Sequence, residues 1–464
     1  MPSRPGPVRS GTARGPRGPG VVDRRVRAVS GPHGPGGLAS HRLGDDMKSY
    51  LLPLGPKADK DTVRRHNLSL VLRAVRDEGE SAEATRAGVS ARVGLTRAAV
   101  SSLVEQLLDS GFLTESGKTF SGQAGRPGTA LKVARTGPAG LGVEINIDYV
   151  SVCVVDLAGT GRVRQTEHLD NRGAPPGEVL GRAAGIAARA LDSAREQGLH
   201  PVGAALALPG LVSGGAVRQA PNLGWNQVPA EELFAQALTG LWPGAAPLPV
   251  RSENEANLAA LAELWFGGLD AVRSFLYLTG EIGVGGALVL DGELLRGAHG
   301  FAGEIGHVVV DPDGPECRCG SRGCLEQYAG QTALLRAAGV EESGGGAAGV
   351  MELERRTRAG DARSVAAVAE AGRMLGRVLS GAVNLFDPDA VVLGGIYRCL
   401  MPWLSPPVDA ELTGRVVSGL WSPGGGRLRA SSVAGDAARG AAALVVQDVL
   451  ADPAAYARPE PADA

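Results

Sequence analysis

One short segment of the chain concentrates side chains that can bind a metal ion. His307, Cys317, Cys319 and Cys324 lie within 18 residues and are interleaved with glycines, which permit tight turns. One imidazole nitrogen and three thiolates are the donors of a closed tetrahedral zinc site. Four protein ligands leave no position for a catalytic water, so we predict a structural Zn²⁺ ion. The alternative is a set of reduced, buried thiols beside a core histidine.

The composition indicates which class of protein surrounds this segment. The chain has 464 residues, 44% hydrophobic and 21% charged, which is typical of a globular protein of about two to four domains. No apolar run approaches the roughly 20 residues of a membrane span, and no secretory signal is present at the start. We therefore predict a cytoplasmic protein without a membrane partner. Five cysteines cannot form a disulfide scaffold.

The net charge of −2 is distributed unevenly along the chain. Residues 1–135 carry +10 and residues 136–464 carry −12. A basic front end on an acidic body favours a nucleic-acid-binding module, although a basic tail can also act only as a solubilising segment. Residues 1–58 are rich in Arg, Gly and Pro, and we predict that they and residues 451–464 are disordered tails.

Residues 59–135 are predicted to form a winged helix-turn-helix domain. Apolar residues recur every three to four positions over 61–77, and a second short helix spans about 82–93. A third helix follows Thr96, which is a good N-cap residue. Apolar residues recur along one face of this helix. Two short strands then form the wing.

The third helix and the wing carry the residues predicted to contact DNA. Opposite its apolar stripe the helix presents small hydrogen-bonding side chains and an arginine, which can reach base edges in the major groove. Between the wing strands, at 112–115 and 130–133, an arginine held by glycine and proline can enter a narrow minor groove. The predicted DNA-binding residues are Thr96, Arg97, Ser101, Ser102 and Arg126. A domain of this kind can alternatively bind another protein.

After the wing, the period of the hydrophobic pattern becomes two. Strands over 141–169 are followed by a helix at 177–197 and a strand at 202–208, and a comparable order recurs over 274–393. This repetition predicts an internally duplicated α/β body over residues 138–450, with two lobes and a cleft between them.

Several motifs in this body resemble those of a known family. They are Ala302-Gly303-Glu304-x-Gly306-His307, the Cys-x-Cys-Gly-x-x-Gly-Cys-Leu-Glu run from Cys317, Leu208-Pro209-Gly210, Leu393-Gly394-Gly395 and, in the wing, Gly125-Arg126-Pro127. The chain resembles the ROK family, named for repressors, open reading frames and sugar kinases, and within it the winged-helix repressors of the xylose or N-acetylglucosamine type. The resemblance implies an actin-like two-lobed fold that contains a sugar pocket.

Carried over position by position, the resemblance also implies which residues bind the sugar. Polyhydroxyl ligands need convergent carboxylates and amides, and His307 would bind the metal with one ring nitrogen and the sugar with the other. The implied sugar-binding residues are Asn254, Glu255, Glu304, His307 and Glu326. Glu304 and Glu326 can alternatively be ordinary surface acids.

The chain departs from the family's kinases at three elements. The kinases have an Asp-x-Gly-Gly-Thr phosphate loop, whereas the matching segment here begins at Glu144, lacks both glycines and ends at Asp148. Glu281 stands about where a second loop has Gly-Thr, and Glu255 replaces the catalytic aspartate. Acidic side chains that face a triphosphate repel it, and a glutamate in place of the catalytic aspartate displaces the carboxylate by one methylene. Both changes oppose phosphoryl transfer. We therefore predict no enzyme activity and no catalytic residue.

These observations favour a sugar-responsive transcriptional regulator, most simply a repressor of carbohydrate uptake or catabolism genes. Its predicted partners are double-stranded operator DNA and a monosaccharide effector. Because one recognition helix reads a half-site, we expect a homodimer or homotetramer on a palindromic operator. Two rival hypotheses are an ATP-dependent sugar kinase that carries a DNA-binding domain, and an interaction protein whose winged helix binds another protein.

Overall fold

The protein's structure, a computed structural model, covers most of the chain between the two predicted tails. It describes residues 59–78, 84–119, 128–243, 246–269, 271–341, 346–433 and 436–457. The predictions for Arg126 and for residues 1–58 and 458–464 lie outside the described residues. In the described part of the chain, no helix is both long and apolar enough to cross a membrane.

The N-terminal part consists of three helices and a small antiparallel sheet. Its elements are α1 (Lys60–Asp77), β1 (Ala84–Thr85), α2 (Arg86–Val93), α3 (Arg97–Asp109), β2 (Leu113–Thr119) and β3 (Gly128–Val133), with the sheet order β1-β3-β2. The expected start of α2 near residue 82 is wrong. Thr85 is extended and caps the helix by accepting the Gly88 amide (3.1 Å), and Ala84 pairs with Leu131.

The first lobe of the body is built on a five-stranded sheet. Its elements are β4 (Gly137–Ile145), β5 (Tyr149–Asp156), β6 (Gly161–His168), α4 (Pro176–Glu196), β7 (Leu199–Leu208), β8 (Leu211–Ser213), β9 (Ala216–Ala220), β10 (Trp225–Val228), α5 (Ala230–Leu241), β11 (Val250–Asn254) and α6 (Glu255–Phe266). The large sheet has the order β11-β7-β4-β5-β6, and β8, β9 and β10 form a separate small sheet.

The second lobe repeats this plan. Its elements are β12 (Phe275–Gly280), β13 (Val284–Leu290), β14 (Glu293–Leu294), α7 (Glu326–Ala329), α8 (Gln331–Ala338), α9 (Gly346–Arg358), α10 (Ala362–Phe386), β15 (Ala390–Gly395), α11 (Ile396–Arg415) and β16 (Leu428–Ala430). The sheet order is β14-β13-β12-β15-β16. In each lobe the central strand pairs antiparallel with the next strand and parallel with a later one: β4 with β5 and β7, and β12 with β13 and β15. The predicted duplicated α/β body is confirmed.

A last helix, α12 (Ala437–Ala451), returns to the first lobe and packs closely on its sheet. A Cβ added to Gly142 would stand 1.9 Å from the Ala438 carbonyl oxygen, so only glycine allows this approach. A Cβ on Gly440 would likewise stand 1.9 Å from the Leu258 carbonyl oxygen of α6. Helix α12 is therefore held against both the sheet and α6 by backbone contact.

The C-terminal end of α12 contacts the first helix of the winged domain. The Ser69 hydroxyl of α1 donates to the Leu450 carbonyl (2.7 Å), and Arg65 of α1 forms an ion pair with Asp452. A 3₁₀ helix, Pro453–Tyr456, follows, and Pro453 is buried. The expectation of disorder from residue 451 is thus wrong for 451–457, because this segment packs on α1.

Candidate functional site

Polar side chains from both lobes line a cavity in the cleft. The first lobe contributes the junction of β11 and α6, while the second contributes the turn between β12 and β13, the segment 303–307 and the start of α7. Because these segments meet at the mouth of the cleft, the fold brings together residues that are far apart in sequence. The lining includes all five residues that the resemblance implied, Asn254, Glu255, Glu304, His307 and Glu326.

Asn254 and Glu255 form the first-lobe wall at the N-terminus of α6. Asn254 Oδ1 caps the helix by accepting the Ala256 and Asn257 amides (2.8 and 3.2 Å), and Nδ2 donates to the Gly210 carbonyl (2.9 Å). Glu255 Oε2 is buried and has no hydrogen-bond partner within the described residues. A buried carboxylate oxygen without a partner is costly, so a ligand hydroxyl that donates to it would be favourable.

Glu304, His307 and Glu326 form the opposite wall. His307 ends the 3₁₀ turn Ile305–His307, and its Nε2 lies 4.0 Å from Glu304 Oε2. Glu326 begins α7, and its Oε2 accepts the Val284 amide (3.2 Å). The Glu304 side chain is 40% exposed and faces the cavity, so it can bind a ligand directly.

The predicted metal ligands converge on one point beside this wall. The His307, Cys317, Cys319 and Cys324 donor atoms all lie within 4.8 Å of one another. His307 Nδ1 is 3.7 Å from Cys317 Sγ, and Cys319 Sγ is 3.7 Å from Cys324 Sγ. Tetrahedral sulfur ligands at about 2.3 Å from a zinc ion stand about 3.8 Å apart. The cluster can therefore hold a metal ion.

A tight loop positions the three cysteines. The Cys317 amide donates to the Ser321 carbonyl (2.8 Å), and Gly320 turns the chain at a φ of 94°. A Cβ on Gly323 would stand 1.5 Å from the Asp311 carbonyl oxygen, so this close approach requires glycine. Burial and the neighbouring thiols raise the pKa of Cys324 to about 12. A bound cation would favour the thiolate form of Cys324 against this burial.

A second group of carboxyls contains Glu144 and Glu281, the two acids at the positions where the resemblance implies the phosphate loops. Tyr149 donates its hydroxyl to Glu144 Oε1 (2.5 Å), and Glu144 Oε2 accepts the Ala438 amide (3.2 Å). Burial, with the charges of Glu144 and Asp148, raises the pKa of Glu281 to about 8. Burial, with the charges of Glu281, Glu144 and Glu304, also raises the pKa of Glu255 well above its usual value.

The cavity has two polar lining residues that the sequence did not single out. Arg318, between two of the cysteines, donates to Asn222 Oδ1 of the first lobe (2.7 Å), so this contact joins the lobes across the cavity. The position of Arg318 between two predicted metal ligands could have indicated that it lies at the site. Asn222 lies in a turn between β9 and β10 and has no distinguishing pattern around it.

The residues predicted to contact DNA lie at the start of α3. Thr96 and Arg97 are exposed, Ser101 is half-buried and Ser102 is exposed. The Thr96 hydroxyl accepts the Ala99 amide (3.2 Å), so it serves first as the N-cap. The structure thus brings four of the five predicted residues onto one accessible end of α3, and Arg126 lies outside the described residues.

The two-lobed architecture and its motifs match a known family model. The model of the ROK family matches residues 140–448. The chain belongs to the ROK family. The matched region spans both lobes and most of α12, and the actin-like fold implied by the resemblance is therefore confirmed.

Three proteins illustrate what this ROK family chain is similar to. A xylose repressor of Caldicellulosiruptor bescii is 29% identical over 346 residues, which is 72% of the chain and 83% of the relative. The crystal structure of a ROK transcriptional regulator, a homolog of the E. coli MLC protein, matches with a TM-score of 0.67 at 24% identity, over 84% of the chain and 97% of that structure. A ROK glucokinase from Streptomyces griseus, in complex with glucose and AMPPNP, matches with a TM-score of 0.55 at 28% identity, over 67% and 99%.

Proposed function

We propose that the protein is a sugar-responsive DNA-binding transcriptional regulator that acts as a repressor of carbohydrate genes. The observation that carries this proposal is the convergence of Asn254, Glu255, Glu304, His307 and Glu326 on one cavity, in a chain whose helix α3 has an exposed N-terminal end. The unpartnered Glu255 oxygen supports a ligand rich in hydroxyl donors. The likeness to a xylose repressor over 72% of the chain and 83% of that repressor supports the regulatory role.

In this proposal the metal is zinc and its role is structural. Cys317, Cys319, Cys324 and His307 Nδ1 would hold it, and these four donors would fix the orientation of the histidine ring. The second ring nitrogen, which lies on the side of Glu304, then remains for a sugar hydroxyl. Zinc would supply no chemistry beyond this positioning.

The alternative function, an ATP-dependent sugar kinase, is favoured by the likeness to the ROK glucokinase. Against it, the segment that begins at Glu144 lacks the glycines that the resemblance implies for a phosphate loop, Glu281 stands about where the second loop has Gly-Thr, and Glu255 stands at the position of the catalytic aspartate. Coupled ADP release with D-glucose, D-mannose, N-acetyl-D-glucosamine and D-xylose tests the alternative. We expect no turnover at high protein concentration, and a steady rate with any of these sugars would restore the kinase.

A symmetric oligomer, dimer or tetramer, would be the DNA-binding form, since one α3 reads one half-site. Sugar and DNA would each weaken the binding of the other, as linkage requires.

Helix α12 offers the physical connection between the cavity and the winged domain. The Ala438 amide in its first turn donates to Glu144 Oε2, and Gly440 packs on Leu258 of α6, the helix that begins at Glu255. The Leu450 carbonyl in its last turn accepts the Ser69 hydroxyl of α1.

The experiment that tests the proposal is fluorescence anisotropy with DNA from upstream of the protein's own gene, titrated with the four sugars above. We expect tight, salt-dependent binding that one sugar weakens by about tenfold or more, the usual range of allosteric coupling. Absence of specific DNA binding would contradict the regulator. Binding that ignores every sugar would contradict its effector.

A matched pair of variants makes this test specific to the cavity. Glu304→Gln removes a ligand-facing charge that makes no contact needed by the fold, so the variant should bind DNA but lose the sugar response. Glu293→Gln, at an exposed position on β14, makes the same chemical change outside the cavity and should behave as wild type.

Arg97→Ala should relax operator specificity. Arg97 is exposed at the N-terminus of α3, where a guanidinium can form a bidentate contact with guanine worth about 1–3 kcal/mol of discrimination. The affinity for the operator should therefore fall by about tenfold or more, while the affinity for unrelated DNA changes little. Arg189→Ala, on α4 of the body, removes the same charge as a control. Equal losses on both DNAs would show that Arg97 contacts only phosphate.

A further inference from the structure

Glu253 is a buried carboxylate near the end of β11, directly before the first-lobe wall of the cavity. It is only 9% exposed. Its Oε1 accepts the Asn254 amide (3.1 Å) and the side-chain amide of Asn257 (3.0 Å). Both donors belong to the start of α6, so this carboxylate fixes the helix end that carries the wall. A buried carboxylate also needs a partner for its second oxygen.

The partner of that second oxygen comes from the other lobe. Arg296 Nε donates to Glu253 Oε2 (2.7 Å), and the two residues are 43 positions apart in the chain. Arg296 follows β14, where the amide of the preceding Leu295 donates to the Leu288 carbonyl of β13 (2.8 Å). Arg296 is therefore anchored on the second-lobe sheet, and its ion pair crosses from one lobe to the other.

The backbone of Arg296 is also joined to the opposite wall of the cavity. Its carbonyl accepts the Ala302 amide (3.1 Å), which closes the loop that leads to Glu304. Through this loop and the ion pair, Arg296 connects the segment that carries Glu304 with the segment that carries Asn254. Neither Arg296 nor Glu253 is among the residues that line the cavity, so both act on a ligand through their neighbours.

We propose that Arg296 is a positioning residue, whose ion pair with Glu253 sets the separation of the two cavity walls and so holds the cleft in its ligand-binding arrangement. The Arg296 side chain is 47% exposed, so salt can screen the pair from that side. An uncharged sugar should then bind with an affinity that depends on ionic strength. The effect on sugar binding rests on the proposed function, whereas the link between the walls does not.

Hydrogen–deuterium exchange of the full chain tests the link without any sugar. Arg296→Ala should raise amide exchange several-fold over residues 253–258, in the lobe opposite the substitution, because a buried oxygen of Glu253 then lacks its partner. Arg373→Ala is the control, since this second-lobe arginine pairs with Glu370 of its own helix. It should leave the exchange of residues 253–258 unchanged. Unchanged exchange in an Arg296→Ala variant that circular dichroism shows to be folded overturns the proposal.

Isothermal titration with D-glucose, D-mannose, N-acetyl-D-glucosamine and D-xylose tests the effect on ligand binding. For a sugar that binds, wild-type affinity should fall between about 0.01 and about 1 M NaCl, where the Debye length shrinks from about 30 to about 3 Å. Arg296→Ala should bind that sugar about tenfold or more weakly at low salt and lose the salt dependence. Arg373→Ala should match wild type at both salt concentrations.

A double-substitution cycle shows whether the two residues act as one pair. In a Glu253→Gln background, Arg296→Ala should cause no further loss of sugar affinity. Additive losses, or a salt dependence that persists in Arg296→Ala, overturn the proposal. If none of the four sugars binds while exchange over residues 253–258 still responds to Arg296→Ala, the proposed effector fails and the link between the walls holds.

Discussion

Cys319→Ser should lose the metal ion, the sugar response and part of the stability together. Cys319 is one of four donors within 4.8 Å of one another, and a neutral hydroxyl is a poor replacement for a thiolate. Even outer-shell changes lower metal affinity by about 10–100-fold, so we expect a larger loss for a direct ligand. Without the metal, His307 would no longer be fixed against Glu304, and the sugar wall would lose its geometry.

The measurements are metal content by mass spectrometry, thermal unfolding and sugar affinity. Cys399→Ser is the matched control, since Cys399 lies on α11 outside the cluster and donates only to the Ile396 carbonyl. The control should retain one zinc ion per chain and the wild-type sugar affinity. A wild-type protein that is fully folded and binds sugar without any metal would show that the assignment is wrong.

The double substitution Arg65→Ala and Ser69→Ala should separate sugar binding from DNA release. Both side chains join α1 to the end of α12, through Asp452 and the Leu450 carbonyl, and neither lies at the cavity or at the N-terminus of α3. We therefore expect separate sugar and DNA affinities near those of wild type. The coupling between them, about 5–150-fold in typical allosteric proteins, should fall toward one.

Anisotropy titrations of DNA with and without saturating sugar measure this coupling directly. Arg76→Ala is the control, because Arg76 also lies on α1 but pairs with Asp77 of the same helix. It should keep the full sugar effect. A double variant that still releases DNA as wild type does would show that the signal passes elsewhere.

The His/Cys cluster could be predicted from sequence because its four candidate metal ligands are local. Their donor types and the intervening glycines suffice to indicate the chemistry. The candidate sugar-binding residues are different, since Asn254 and Glu326 come from separate lobes and only the family resemblance predicted that they share one pocket. The three N-terminal helices and the duplicated lobes followed from hydrophobic periodicity, which reports local structure well.

What could not be predicted depends on contacts between distant segments. The pairing of Ala84 with Leu131 converts the start of an expected helix into a strand. The approach of Glu281 to Gly395 and of Glu144 to Ala438 could not be predicted, because hydrophobic periodicity in the sequence does not report contacts between distant residues. The packing of residues 451–457 on α1 was missed for the same reason. The composition of this short Pro- and Ala-rich segment predicts a disordered tail, and the surface that it contacts is distant in sequence.

The path of α12 also sets the order in which the newly made chain can finish folding. Glu144 and Ala438 are 294 residues apart, and Ser69 and Leu450 are 381 residues apart. At ribosomal rates of about 5–20 residues per second, the central strand β4 of the first-lobe sheet is made about 15–60 s before the helix that covers it. Polypeptides that terminate early would therefore expose this sheet and α1, which makes them targets for chaperones and proteases before they can compete for the operator.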